Sequence, residues 1–258
     1  MIESPQGYIV ATECQKATWQ NGYRRKFEES AGWSRWGSTT AKGSVFLAAA
    51  GAQGPWHLAT DHAGVVAELG LLPSGVSGPG LVRYSFPTLT KLYDALSRVY
   101  TLAVTLPDGP LEAFIAEIAS LPRNTEAERL VVQRVGQDIF RDRLLTYWGR
   151  RCPLTGITEP ALLRASHIKP WADCETDADR LNVHNGLLLS ALWDAAFDKG
   201  LVTFDDDGNP VLSNRLEPAT CAILKHGVVA KLPLNDQLRW PRLFGQFFRC
   251  DKWRLCRG

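Results

Sequence analysis

Residues 162–200 read "LLRASHIKPWADCETDADRLNVHNGLLLSALWDAAFDKG". With Ala161 in front, "ALLRASHI" has the look of a strand. It must stop by Pro170, because proline has no N–H to give to a central ladder. "ADCETDADRLNVH" is polar and reads as a loop. "NGLLLS" reads as a second strand, opened by Asn185. "ALWDAAFDKG" is made of good helix formers and closes on Gly200, so it reads as a short helix. The order is strand, loop, strand, helix.

The polar residues fall at particular places on that pattern. His167 sits near the end of the first strand, and Asn185 at the start of the second. Asp194 follows Asn185 by nine positions and lies on the helix. Asp198 comes four residues later, so the two carboxylates share one helix face. Like charges at that spacing repel, and a hard divalent cation between them would reverse the sign of the interaction. His184 neighbours Asn185 but points to the opposite face of a strand and reads as structural. Lys169 and Arg180 are cations near the loop. Solvated charge is the ordinary reading for both, and contact with a phosphate the functional one.

These residues resemble the HNH endonucleases, whose ββα-metal motif has a His on its first strand, an Asn at its second and a metal ligand on its helix. The resemblance extends over about residues 126–215. It includes "RVGQDIFRDRLLTYWGRRCPLTG", "LLRASHIKPWAD" and "RLNVHNGLLLSALWDAAFDKGLVTFDDDG". Together these look like a bacterial branch of the family related to restriction endonucleases. The resemblance implies phosphodiester hydrolysis with one divalent metal, Mg²⁺ or Mn²⁺. His167 would be the general base, and Asn185 would hold the His-bearing loop. Asp194 and Asp198 would be metal ligands. Ser166 stands where many members carry an Asp or His ligand, and a hydroxyl is the weaker donor. The Cys pairs of zinc-containing relatives are missing and Cys152 stands alone, so no structural zinc is expected.

The remainder of the chain sets the context. At 258 residues it is long enough for one large or two modest domains. No apolar run approaches the roughly 20 residues needed to cross a bilayer. The start "MIESPQGYIVATE" has no basic region followed by an apolar one, so no signal peptide is expected. Six scattered cysteines without a CxxC pair read as free thiols of a cytoplasmic protein. These features argue against membrane and disulfide-stapled secreted classes. Net charge is only +2, yet Arg239, Arg242, Arg249, Lys252, Arg254 and Arg257 crowd the C-terminus among aromatics. That tail reads equally as an amphipathic helix with a solvated face or as a phosphate-contacting one.

Upstream, "SVFLAAAG", "PWHLAT" and "LVRYSF" look like strands, while "GVVAELG" and "LTKLYDALSRVY" look helical. Pro107, Gly109 and Pro110 break the chain and a short helix follows. Thr125 and Glu128 form a capping-box signature for a helix running to about Trp148, whose Arg134, Arg141 and Arg143 read as exposed or paired with acids, with a DNA-facing role as the alternative. "LVTFDDDGNPVLS" reads as a hairpin with "DDGN" at its turn. The N-terminal region sets Trp19, Trp33, Trp36, Trp56, Tyr23 and Phe27 beside Arg24, Arg25, Lys26, Arg35 and Lys42. Such residues can stack bases and hold phosphates, although aromatics more often simply pack. His57, Asp61 and His62 form a small ligand-like group without a recognised metal spacing.

The expectation is an α+β protein: a mixed α+β DNA-recognition domain over 1–105, a helical connector over 106–149 and an HNH nuclease over 150–258. It would cut double-stranded DNA as a restriction or phage-defence enzyme, with a homodimer as the arrangement that cuts both strands. Two other readings stay open on the residues alone. One is a non-specific or nicking nuclease, such as a toxin. The other is a DNA-binding protein that kept the fold and lost cleavage.

Overall fold

Strands buried on both faces read as unbroken apolar runs, and "SVFLAA" and "WHLAT" do so because they lie inside a sheet. The computed structural model describes residues 1–233 other than Pro107, Arg123, Asn124 and Asp206, so the basic C-terminal tail lies outside the described residues. The turn sequence "DDGN" and the break at Pro107 are described only in part. The chain divides at Gly109 and Pro110 into two units, and the described architecture is mixed α+β.

In the first unit the order is α1 (Tyr8–Gln20), β1 (Arg25–Ser30), β2 (Trp33–Gly37), β3 (Ser44–Ala49), β4 (Trp56–Thr60), α2 (Ala63–Leu69), β5 (Val82–Phe86) and α3 (Leu89–Thr105). The five strands form an antiparallel meander in sequence order. In β2 and β3, Ser34 pairs with Leu47 and Arg35 with Phe46, so successive residues alternate between two faces. Helices α1 and α3 pack on the sheet. Cys14 of α1 meets Ser34, which puts α1 on the face shared by Trp36, Leu47 and Leu58. Burial there pushes the Cys14 thiol up to about 12, so it stays a protonated packing group.

Helix α3 buries Leu92, Leu96, Val99 and Ala103, a stripe at helical spacing, and Thr88 caps it by accepting from Lys91 N. Trp33, Trp36, Trp56 and Tyr23 are all buried, whereas Trp19 is half-exposed. Most of the N-terminal aromatics are therefore packing groups. His57, Asp61 and His62 have separate tasks. His57 bonds Ser85, Asp61 accepts from Ser44 N, and His62 caps α2.

Helix α4 (Asp108–Ile118) spans the division, and the second unit continues with α5 (Glu126–Tyr147), β6 (Leu163–His167), α6 (Asp177–Leu181), β7 (Gly186–Ser190), α7 (Ala191–Asp198), β8 (Val202–Phe204), β9 (Pro210–Leu212) and α8 (Pro218–His226). The capping box at Thr125 and Glu128 is formed. Strands β6 and β7 make an antiparallel ribbon, with His167 opposite Gly186 and Ser166 opposite Leu187. Strands β8 and β9 form the expected hairpin, its turn held by the Asp205 carboxylate accepting from Asp207 N and from Asn209. Among the described residues no helix is long and apolar enough to cross a membrane.

Candidate active site

Helix α5 is the platform. Gly136, Phe140 and Leu144 recur every four residues, so they line one face. All three are buried, and α5 packs on both strands of the ribbon. Gly136 leaves room for Trp171, whose ring would lie 2.5 Å from any Cβ added there. Arg141 donates to the carbonyls of Leu163 and Pro160 at 2.9 and 3.1 Å. It ties α5 to the start of β6, a role that the expectation of an exposed or acid-paired arginine did not include.

His167 stands at the end of β6 against that platform. Its ring stacks on Phe140, with centroids 3.8 Å apart and planes 21° from parallel. Trp171 approaches it edge-on at 5.6 Å. Nε2 lies 2.9 Å from the Arg180 carbonyl oxygen. A carbonyl can only accept, so Nε2 carries the proton and, in the neutral ring, Nδ1 carries the lone pair. Burial lowers the His167 pKa, and the bond to Arg180 opposes this only in part. The ring is thus neutral and of defined tautomer at ordinary pH.

The carbonyl that fixes this tautomer belongs to a folded loop. Thr176 and Asp179 form a second capping box, which starts α6 inside the segment that the sequence suggested was plain loop. Arg180 closes it like a clip. Its guanidinium donates to Trp171 O, Cys174 O and Asp177 Oδ1. Arg180 is therefore a structural tie rather than a solvated charge. Lys169 lies 3.8 Å from Glu175.

Asn185 is buried and sits at the end of a 3-10 turn, Val183–Asn185, just before β7 rather than as its first residue. Its Oδ1 accepts from Lys169 N at 2.7 Å. Its Nδ2 faces Lys169 O at 3.2 Å, Asp179 O at 3.3 Å and Cys174 Sγ at 3.4 Å. One amide thus holds both ends of the loop behind His167. His184 is buried edge-on against Tyr147, a packing position.

Helix α7 is anchored by Trp193 and Phe197, whose rings pack on Phe204 of β8 at 6.4 and 6.2 Å. On its first turn Asp194 accepts a 2.5 Å hydrogen bond from Ser166 Oγ. Burial and then the charge of Asp194 push the Asp198 carboxyl above the ordinary aspartate range, with Lys199 opposing. The structure thus brings together Ser166, Asp194 and Asp198, with His167 next to Ser166 in the chain. Among the described residues no three His, Cys, Asp or Glu side chains form a ready metal cage. The donors available are two mutually repelling carboxylates and a hydroxyl, all oxygen. Such a set fits a hard cation that keeps several waters, not a soft or fully caged one.

Phe140, Trp171 and the Arg180 carbonyl were not singled out by sequence reasoning. Phe140 was visible only as one apolar position in a helical stripe, and a backbone carbonyl has no sequence signal at all.

An antiparallel ribbon, a histidine at the ribbon's end and carboxylates on the helix that follows it have the arrangement of a ββα nuclease motif. The comparison with known families agrees: residues 152–205 match the model described as HNH endonuclease. The match identifies an HNH nuclease domain in this part of the chain, which indicates phosphodiester hydrolysis and implies a DNA substrate. HNH nucleases generally use a divalent metal. No curated protein matches the chain.

Proposed function

We propose that the chain is a metal-dependent endonuclease for double-stranded DNA, acting as a restriction or phage-defence enzyme, with His167 as its general base. The observation that carries this reading is the His167 ring, whose Nε2–H is committed to the Arg180 carbonyl while Nδ1 is left as proton acceptor. Nδ1 would take the proton of the attacking water as its oxygen adds to phosphorus, and the bond to the leaving 3′ oxygen then breaks. Phe140 and Trp171 hold the ring in place, and Asn185 secures the loop that supplies the carbonyl. Asp194 and Asp198, with Ser166, would hold Mg²⁺ or Mn²⁺. When bound, such an ion supplies positive charge to the transition state and the leaving oxygen.

A ββα centre grips backbone, which positions DNA without reading it. Recognition of sequence or modification is assigned to the N-terminal domain, residues 1–105, whose β1 exposes Arg25 and Lys26 beside Arg24. Cys14, Cys152, Cys174 and Cys221 are free thiols, which suits the reducing cytoplasm. A homodimer would supply one centre for each DNA strand.

The test is cleavage of matched unmodified and cytosine-modified plasmids in Mg²⁺ or Mn²⁺, with His167→Ala alongside. Discrete bands with the wild type and none with the variant are expected. A smear on both plasmids would overturn the restriction reading. Cleavage by His167→Ala at the wild-type rate would remove His167 as the base.

A further inference from the structure

The second face of the N-terminal sheet carries the residues that alternate with the helix-packed ones: Trp33 and Arg35 of β2, Phe46 of β3, His57 of β4 and Ser85 of β5. A cavity of about 1060 Å³ opens on this face. Phe46, only partly buried, forms its aromatic floor with the buried Trp33 packed beside it, and Val76 to Pro79 of the α2–β5 loop form one wall. The wall is fastened. Arg83 donates to Val76 O and Gly80 O, and a Cβ on Gly78 would stand 2.5 Å from the Trp33 indole. The volume is that of a ligand site rather than a packing defect.

The chemistry of the lining narrows the occupant. His57 Nδ1 and Ser85 Oγ are 2.8 Å apart, and burial lowers the His57 pKa, so the pair offers donor and acceptor positions without charge. Glu28 contributes a carboxylate, the group that accepts from an exocyclic amine. Arg35 also lines the cavity, its guanidinium lying 5.7 Å from the Phe46 ring centre and 4.8 Å from that of Phe27. An aromatic floor, an uncharged polar pair, a carboxylate and a stacked cation together suit a planar heteroaromatic ring attached to a phosphate.

We infer that this cavity receives a single unstacked nucleobase of the DNA substrate, one bearing an exocyclic amine. The inference rests on the proposal that the N-terminal domain contacts DNA. The base would stack on Phe46, present its edge to His57, Ser85 and Glu28, and leave its phosphate beside Arg35. Taking a base out of the helix costs a few kcal/mol, and less where the base is already unpaired. The site should therefore favour a duplex carrying one extrahelical cytosine over the fully paired duplex.

The experiment measures equilibrium binding of the full-length His167→Ala protein to these two duplexes at one fixed salt concentration. About tenfold tighter binding to the extrahelical duplex is expected. Two substitutions on different strands, Phe46→Ala and Ser30→Trp, should each erase that preference while binding the paired duplex as before, with folding checked by thermal unfolding. Ser30 is exposed and lines the cavity, so Trp there fills it without removing core. Equal binding to the two duplexes, or a preference that survives both substitutions, would overturn the inference. A double Arg25→Glu, Lys26→Glu variant separates the two levels. If it binds paired DNA like wild type, DNA contact by this domain fails. If it binds weakly while no preference for the extrahelical base exists, only the cavity assignment fails.

Discussion

Replacing Gly186 by alanine puts the platform under His167 to a direct test. Gly186 pairs with His167 across the ribbon. An added Cβ would lie 2.4 Å from Phe140 Cζ and 3.2 Å from both terminal methyls of Leu144. Ordinary contact begins at 3.4 Å, so the Phe140 ring must retreat by about 1.0 Å, the difference from 2.4 Å. That ring is stacked on the imidazole at 3.8 Å, so it cannot shift without disturbing the stack. Either the imidazole moves with it or the strand does. Overpacking of this kind costs about 1–3 kcal/mol of stability. A displacement near 1 Å at a reacting group costs on the order of 10²-fold in rate. The assay pairs thermal unfolding with plasmid cleavage in Mn²⁺. Gly186→Ala should remain folded at 25 °C yet cut about a hundredfold more slowly. Wild-type cleavage in a folded variant would show that Phe140 does not position His167.

Other outcomes follow from the same centre. Cleavage should fall as pH drops through the His167 pKa with a midpoint below the ordinary 6.5, because the neutral ring is the active form. Since the ring is held neutral in the fold, its contribution to stability should be complete above about pH 6.5 and fade below it, as denaturant titrations across pH would record. Trp171→Ala should move the kinetic midpoint upward by exposing the ring, and an unchanged midpoint would exclude Trp171 as its shield. Asn185→Asp keeps the acceptor for Lys169 N but turns the donor side into an oxygen facing Lys169 O and Asp179 O. It should lower stability by about 1–3 kcal/mol and reduce cleavage, read by Tm and rate together. Asp194→Ala should weaken Mn²⁺ binding at least tenfold by calorimetry. Binding should also weaken with acid from a higher pH than an ordinary aspartate would give, because the Asp198 carboxyl is held up.

The nuclease core was legible because its signals are local. The ribbon, the terminal helix and the capping box at Thr125 each lie within a few residues of their cause. What stayed hidden depends on distant partners. Helix α1 has its buried Val10, Cys14, Ala17 and Thr18 at helical spacing, but Tyr8, Ile9 and Trp19 on its outer side blur the stripe. Strand β1 is exposed at every position, so "RKFEES" shows no alternation at all. Helix α6 is short and polar and stands through its capping box, the Arg180 clip and Asn185. The strand end that carries His167 and the helix that carries Asp194 and Asp198 were readable from the sequence. The stack on Phe140 and the tie to the Arg180 carbonyl required the fold.

That five-residue helix, α6, has a consequence of its own. A segment so short has no stability apart from its ties, and it supplies the acceptor for the Nε2 proton of His167. Local opening of this one loop would leave the sheet and α5 intact while freeing the imidazole to exchange tautomers. With His167 as the proposed base, competence to cut would then be governed by a smaller free energy than global unfolding. Gentle warming should silence the enzyme well before it melts, and cooling should restore it without refolding.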